Sequence, residues 1–192
     1  MMKKVSLESA TFNQAIAQIE LMDNVSPKIS SCIRLLTEEV YSMFYELLEK
    51  DKLNYSLEKE VNKFKITVTT SAWTNEETKE QFLKVSTSGK NDAYKGIKGF
   101  FKSILDSLIL GASVAGDACS RAEFGFSEYE CDFSKIYRWN LSEYIERTPV
   151  EKVKEKWDEL EKSIIMNFAD DISISIRDDI IEIVIVKNIQ HK

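Results

Sequence analysis

Histidine, proline, glycine and cysteine are all scarce in this chain of 192 residues. The single histidine, His191, excludes Ser/His/Asp and Cys/His nucleophilic sites as credible interpretations. Three cysteines are an odd number and form no CxxC pair, which argues against both a disulfide framework and a zinc site. One of them, Cys32, falls on the apolar face of a helical pattern, so we expect it to be a core residue rather than a reactive thiol.

Long apolar runs and a basic charge balance are lacking as well. No apolar segment approaches the roughly 20 residues that a membrane-spanning helix needs. The start, MMKKVSLESATF, has no apolar stretch of the kind found in secretory signals. The formal net charge is −6, whereas nucleic-acid-binding domains normally carry a basic face. We therefore expect a cytoplasmic protein with neither nucleic acid nor membrane as its partner.

Hydrophobic periodicity, by contrast, is strong. Apolar residues recur at spacings of three and four over 29–47, which predicts a long amphipathic helix, with Ser26 as its cap and Pro27 at its first position. A shorter helix is predicted at about 11–22, with Thr11 as candidate cap. Val5 and Leu7 alternate with polar residues, which is typical of a short edge strand.

Two hairpins complete the pattern. Apolar residues alternate with polar ones over 53–57 and again over 64–68, which predicts the first hairpin. The second comprises 172–176, a turn at Asp178-Asp179, and a nearly all-apolar strand over 180–187. A strand that is apolar on both faces should be either central in the sheet or covered on both faces. We expect an α+β fold, a two-layer α/β sandwich whose mixed, mostly antiparallel sheet has its helices on one face.

The middle of the chain gives weaker signals. Thr74 to Glu77 form a capping box for a helix over 75–83, a further helix is expected near 94–110, and Thr148-Pro149 begins another. Strands are expected around 123–139. The aromatic residues of 124–144 either close the sheet or form a partner surface. The length predicts a single domain, 1–192.

All six glycines lie between Gly89 and Gly125, and two of them stand where the 94–110 helix begins. From Lys84 to Lys102 there are five lysines against one aspartate. Glycines and a helix start present backbone N–H groups to an anion, so this stretch could hold phosphate. It is not a P-loop, because the glycine five positions before Gly89 and the Ser/Thr after the lysine are missing. The alternative is a mobile lysine-rich loop.

Taken in order, the helix IRLLTEEVYSMFYELL, the hairpin LNYSLEKEVNKFKITVTTSAW, the stretch YKGIKGFFKSILDSL and the final strands resemble the histidine-kinase-like ATPase fold. Within it the chain is most similar to the anti-sigma-factor serine kinases. The resemblance assigns 1–110 and 171–189 to the ATPase core and 111–170 to an elaboration.

The resemblance also implies roles for particular residues. Thr37, Glu38 and Ser42 match the family's Ser-Glu-x-x-x-Asn, which makes Glu38 the catalytic base and Ser42 the magnesium position. Glu39 is the alternative base, because helical phasing places Glu38 nearly opposite the apolar face and Glu39 beside that face. The set matched to nucleotide binding is Ser42, Lys90, Lys95, Gly96, Lys98 and Gly99, while Asp106 matches the aspartate near the end of the glycine-box helix. The cofactor implied is ATP or ADP with Mg²⁺.

Two departures from the family pattern weaken the prediction of nucleotide and magnesium binding. Ser42 replaces the magnesium-binding Asn, and the sequence TVTTSAWTNEE lacks the Asp-x-Gly-x-Gly box that recognises adenine. Because charge-assisted contacts contribute roughly 1.5–3 kcal/mol each, we expect nucleotide binding to be weak or lost.

Three functions follow from these observations. The first is a regulatory protein that binds a partner protein, such as a regulator or sigma-like factor, in an anti-sigma-like way. The second is an active ATP-binding serine kinase and switch protein. The third is a non-catalytic scaffold protein. A homodimer is compatible with each of them.

Overall fold

The structure is a computed structural model and describes residues 3–71, 101, 104–105, 108, 137–147, 164–177 and 180–189. These residues form six strands and four helices. The elements are β1 (Lys3–Ala10), α1 (Phe12–Glu20), α2 (Pro27–Leu48), β2 (Leu53–Lys59), β3 (Lys63–Ser71), β4 (Tyr137–Asn140), α3 (Leu141–Arg147), α4 (Ile164–Phe168), β5 (Asp171–Arg177) and β6 (Ile180–Asn188).

The six strands form one antiparallel sheet in the order β1-β2-β3-β6-β5-β4. The predicted α+β class is confirmed, and the arrangement is consistent with a two-layer sandwich. β1 is an edge strand, as its short alternating pattern predicts. β6 lies in the interior of the sheet, between β3 and β5, which is the first of the two positions predicted for its nearly all-apolar sequence.

Helices α1 and α2 begin at the residues that the sequence predicts. The backbone N–H and the side-chain hydroxyl of Thr11 both donate to Gln14 Oε1, at 2.9 and 3.1 Å. Ser26 Oγ accepts a hydrogen bond from the Ile29 N–H at 3.3 Å, and Pro27 occupies the first turn. The bonds from the Thr11 and Ile29 N–H groups satisfy backbone donors that the helices themselves leave unpaired.

The turn Leu21–Asn24, which joins α1 to α2, is attached to the sheet by two lysines. Lys3 and Lys59 lie opposite each other in the β1–β2 ladder. The Lys3 ammonium donates to Leu21 O at 3.1 Å and to Asp23 Oδ2 at 2.9 Å. The Lys59 ammonium donates to Asp23 O at 2.8 Å and to Asn24 O at 3.0 Å. The two lysines of the sheet therefore hold the turn that precedes α2 in place.

The chain divides into two compact units. The first contains residues 1–70, 163–172 and 182–192. In it α1 and α4 both pack against α2, and the strands contribute an alternating row of buried side chains. Its largest fully buried side chains are Tyr55, Phe44, Phe64, Ile33, Leu36, Leu53, Leu57 and Ile66.

The second unit contains residues 71–162 and 173–181. In it β4 pairs with β5 and places Trp139 opposite Ile174. The rings of Trp139 and Tyr144 lie 5.8 Å apart, and both side chains are buried. Four helical residues of the predicted 94–110 helix are buried as well: Phe101, Ile104, Leu105 and Leu108.

Several predictions fall elsewhere in the chain. The 75–83 helix, the start of the helix at Thr148-Pro149 and the Asp178-Asp179 turn lie outside the described residues. So does most of 111–170, and its assignment as an elaboration stays a prediction. Helix α3 was not predicted, and β4 is the described part of the strands expected around 123–139.

Candidate functional site on helix α2

Helix α2 carries the residues that the resemblance assigns to catalysis. An α-helix turns by about 100° per residue, so adjacent positions face different directions. Thr37 is fully buried, Glu38 is exposed, and Glu39 is half-buried. Glu38 thus lies on the side opposite the core and Glu39 at its border, as the helical phasing predicts.

Thr37 belongs to the core. Its hydroxyl donates to the Ile33 carbonyl at 2.8 Å and lies 3.3 Å from the hydroxyl of Tyr55, which is itself 1% exposed. A threonine hydroxyl has one proton, and Ile33 receives it, so the Tyr55 hydroxyl is the donor in the second contact. The position that matches the family's serine is therefore occupied by a structural contact between α2 and β2.

A second tyrosine extends this contact. The Tyr41 hydroxyl donates to the Ala10 carbonyl at 3.0 Å, and its ring lies 6.4 Å from that of Tyr55 and 5.9 Å from that of Phe12. Burial raises the pKa of Tyr41 to about 12 and raises the pKa of Tyr55 further. Both phenols are neutral at physiological pH and act as hydrogen-bond donors inside the core.

The outer side of α2 presents a different surface, which we call the α2 stripe: Glu38, Ser42, Tyr45 and Glu46. Glu38 lies four residues before Ser42, and Tyr45 and Glu46 lie three and four residues after it, so each of the three side chains is one helical turn from Ser42. Tyr45 is 62% exposed, and Glu38 and Glu46 are exposed too. Ser42 Oγ donates to Glu46 Oε1 at 3.3 Å. The stripe is thus an aromatic side chain flanked by two carboxylates.

Of the predicted site residues, the structure brings together Glu38 and Ser42, which lie one turn apart on the α2 stripe. Glu39 lies to one side of them. Lys90, Lys95, Gly96, Lys98 and Gly99 lie outside the described residues, as does Asp106. Their predicted role in holding a nucleotide phosphate stays a prediction.

The described ranges contain no group of three or more His, Cys, Asp or Glu side chains placed to hold a metal ion. In the same ranges no helix has both the length and the apolar character needed to cross a membrane. Cys32 is buried, and its thiol lies 3.9 Å from the Phe168 carbonyl. Burial raises the pKa of Cys32, which agrees with its predicted place in the core.

Sequence reasoning missed the contribution of three α2 residues. Thr37 and Tyr41 continue the buried row that includes Ile33 and Phe44, but their hydroxyl groups keep them out of a purely apolar pattern. Tyr45 was missed as a surface residue because tyrosine occurs both in protein cores and at surfaces. The signal that could have found it is its spacing of seven from Glu38, on the polar face.

No protein-family model matches this chain, and neither a curated protein sequence nor a solved structure does. The likeness to the histidine-kinase-like ATPases is therefore carried by the residues and element order alone.

Proposed function

We propose that this chain is a cytoplasmic regulatory protein that acts by binding a partner protein in an anti-sigma-like way. In this proposal the fold is that of a histidine-kinase-like ATPase whose nucleotide site is degenerate, and the α2 stripe is the binding surface. The observation that carries the proposal is the exposure of Tyr45, 62%, between Glu38 and Glu46.

An exposed tyrosine between carboxylates suits protein recognition. Tyrosine is enriched at interfaces, because its ring buries a large area at a low cost in side-chain entropy and its hydroxyl still bonds to polar groups. Flanking carboxylates attract a basic surface and orient it. The partner should therefore present an apolar pocket with lysine or arginine at its rim. A regulator or a sigma-like factor with such a surface fits this description.

The chemistry at the nucleotide positions supports a binding role over a catalytic one. Ser42 has one hydroxyl where the family has an amide oxygen for Mg²⁺, and that hydroxyl contacts Glu46. At the end of β3 the residues are Thr69, Thr70 and Ser71, so the carboxylate that reads adenine has no counterpart there. Nucleotide affinity should be low, because both the metal and the base lose a specific contact.

The experiment is site-specific crosslinking in the cells that make the protein. A photoreactive phenylalanine analogue replaces Tyr45, and a matched control carries it at Leu21, which is 65% exposed. We expect one basic protein to be crosslinked from position 45 and not from position 21. Equal crosslinking from both positions, or none from position 45, would contradict the proposed surface.

An active kinase is the second candidate, and one observation favours it. Glu38 and Ser42 lie one turn apart on the same helix face, which is the spacing between the glutamate and the magnesium-binding asparagine in the family's motif. Calorimetric titration with Mg-ATP and Mg-ADP separates the two candidates. Micromolar affinity that is lost in Gly96→Val would favour the kinase. Absence of heat would leave the regulator or, if no partner is crosslinked, the scaffold.

A further inference from the structure

Among the strands that the structure describes, β1 forms one edge of the sheet. In the described part of the chain it pairs with β2 and with no other strand. Alternate residues of an antiparallel strand direct their N–H and C=O groups away from the neighbouring strand, so β1 carries a row of such groups along its outer side. An edge of this kind is a template for another strand.

We propose that β1 pairs antiparallel with β1 of a second copy of this chain, about a twofold axis at Ser6. The two sheets then form one continuous sheet. This inference uses residues distant in sequence from the α2 stripe and does not depend on the proposed function.

The register follows from geometry and charge. In an antiparallel ladder, the backbone N–H and C=O groups of two directly opposite residues either both point toward the partner strand or both point away from it. These directions alternate along a strand, so residues i and i+1 cannot lie opposite each other in a symmetric pair. The twofold axis therefore has to pass between two copies of the same residue. An axis at Ser6 places Lys4 opposite Glu8 of the second copy, and Val5 opposite Leu7. An axis at Val5 places Lys4 opposite Ser6, and an axis at Leu7 places Ser6 opposite Glu8. The Ser6 axis alone pairs opposite charges.

The charges of the neighbouring strands favour the same register. Lys65 lies opposite Glu58 in the β2–β3 ladder, and Glu58 lies opposite Lys4 in the β1–β2 ladder. Lys4 Nζ lies 2.7 Å from Glu58 Oε1, and the Lys4 side chain is still 52% exposed. This row alternates in sign and ends on a cation at the sheet edge. Glu8 of a second copy is an exposed anion placed to continue it.

The two faces of β1 are also self-compatible. Val5 and Leu7 are half-buried, whereas Lys4, Ser6 and Glu8 are exposed. Directly opposite residues of a ladder have their side chains on the same face of the sheet. In the proposed register the apolar side chains therefore lie beside apolar ones, and the polar side chains lie beside polar ones. Ser6 Oγ already bonds to Ser56 Oγ at 3.2 Å, and the polar row gains a second Ser6.

A bulge limits the length of this ladder. Ser9 has a φ of 48°, and the register between β1 and β2 shifts between Leu7 and Ala10. A bulge bends and twists the strand, so pairing extends from Lys4 to Glu8 and stops there. The contact is short, and we expect a dimer that forms at high protein concentration and dissociates on dilution.

Sedimentation equilibrium of the full chain from micromolar to millimolar concentration tests the proposal. We expect self-association that weakens as salt is added, since the Lys4–Glu8 pairs are at the surface. Glu8→Lys should raise the dissociation constant roughly tenfold or more. In that variant Lys4 of each copy lies opposite a lysine at position 8 of the other copy, so the dimer contains two pairs of like charge. Asp51→Lys makes the same charge change at an exposed site outside β1 and should leave the constant unchanged.

Charge complementation makes the test specific. Lys4→Glu combined with Glu58→Gln gives a chain whose β1 edge is acidic and which should not self-associate. Mixed with the Glu8→Lys chain, it should form a heterodimer, because all opposite pairs are again of unlike charge. A wild-type chain that stays monomeric at millimolar concentration, a Glu8→Lys dimer as tight as the wild type, or a mixture without heterodimer would each overturn the proposal.

Discussion

The hydroxyl oxygens of Thr37 and Tyr55 lie 3.3 Å apart in the core between α2 and β2. Thr37 also donates to Ile33, so the Tyr55 hydroxyl has Thr37 as its acceptor. This pair joins the long helix to the first hairpin, which are two of the elements on which the family resemblance rests.

The Thr37–Tyr55 contact predicts an asymmetry between two single substitutions. Thr37→Val leaves the Tyr55 hydroxyl buried without an acceptor and should lower the free energy of unfolding by about 1–3 kcal/mol. Tyr55→Phe removes the donor, leaves Thr37 bonded to Ile33, and should cost about 1 kcal/mol. Urea denaturation of both variants and of the double variant measures the coupling. Additive costs would show that the hydroxyl groups do not interact.

The buried tyrosines predict a loss of stability at alkaline pH. The pKa of Tyr41 is raised from 10.0 to about 12, and that of Tyr55 is raised further, both by burial. Above pH 10 the unfolded chain loses these protons while the folded chain keeps them, so the free energy of unfolding should fall as pH rises from about 10 toward 12.

Tyr41→Phe should make that fall shallower, because it removes one of the two buried phenols whose pKa is raised. Denaturation curves at a series of alkaline pH values provide the measurement. A slope that Tyr41→Phe does not change would mean that this phenol ionises equally in both states.

The lysine contacts to the α1–α2 turn predict a local effect. Lys59→Met removes two hydrogen bonds to the carbonyls of Asp23 and Asn24, and we expect a loss of about 1 kcal/mol in the free energy of unfolding. Hydrogen exchange of the amides over 21–26 should become faster. Lys52→Met, at an exposed position in the α2–β2 connection, serves as the control. The interpretation fails if both variants exchange at the same rate.

The burial of Cys32 predicts that its thiol reacts only when the protein unfolds. In a Cys119→Ser/Cys131→Ser background it is the one remaining thiol. Burial and a raised pKa should slow its reaction with Ellman's reagent by roughly a thousandfold or more relative to the unfolded chain. Added urea should accelerate the reaction in step with unfolding. Fast reaction in native buffer would contradict a core position.

The elements with long, regular periodicity were predictable. The caps at Thr11 and Ser26 give the starts of α1 and α2, and the alternation of Phe64, Ile66 and Val68 gives β3. The nearly all-apolar sequence of β6 predicts a strand that is either central in the sheet or covered on both faces, and β6 is central. In each case one local rule and the burial of one face favour the same structure.

The remaining features depend on tertiary contacts that a sequence does not display. Thr37 and Tyr41 are polar by type, and their burial is possible because Ile33, Tyr55 and Ala10 supply partners. Helix α3 has seven residues, too few for a periodic signal, and is fixed by the burial of Leu141 and Tyr144. On α2 the phasing of Glu38 was predictable, and the same phasing seven residues further could have indicated the exposure of Tyr45.

The measurement that tests the proposed function most directly is the affinity of the crosslinked partner, once purified, for a small set of variants. We predict that Tyr45→Ala and Glu38→Lys each weaken binding roughly tenfold or more, as expected for an aromatic anchor and a charge at the interface. Leu21→Ala, which removes an equally exposed apolar side chain elsewhere, should leave the affinity within about twofold. Equal affinities for the wild type, Tyr45→Ala and Glu38→Lys would contradict the account.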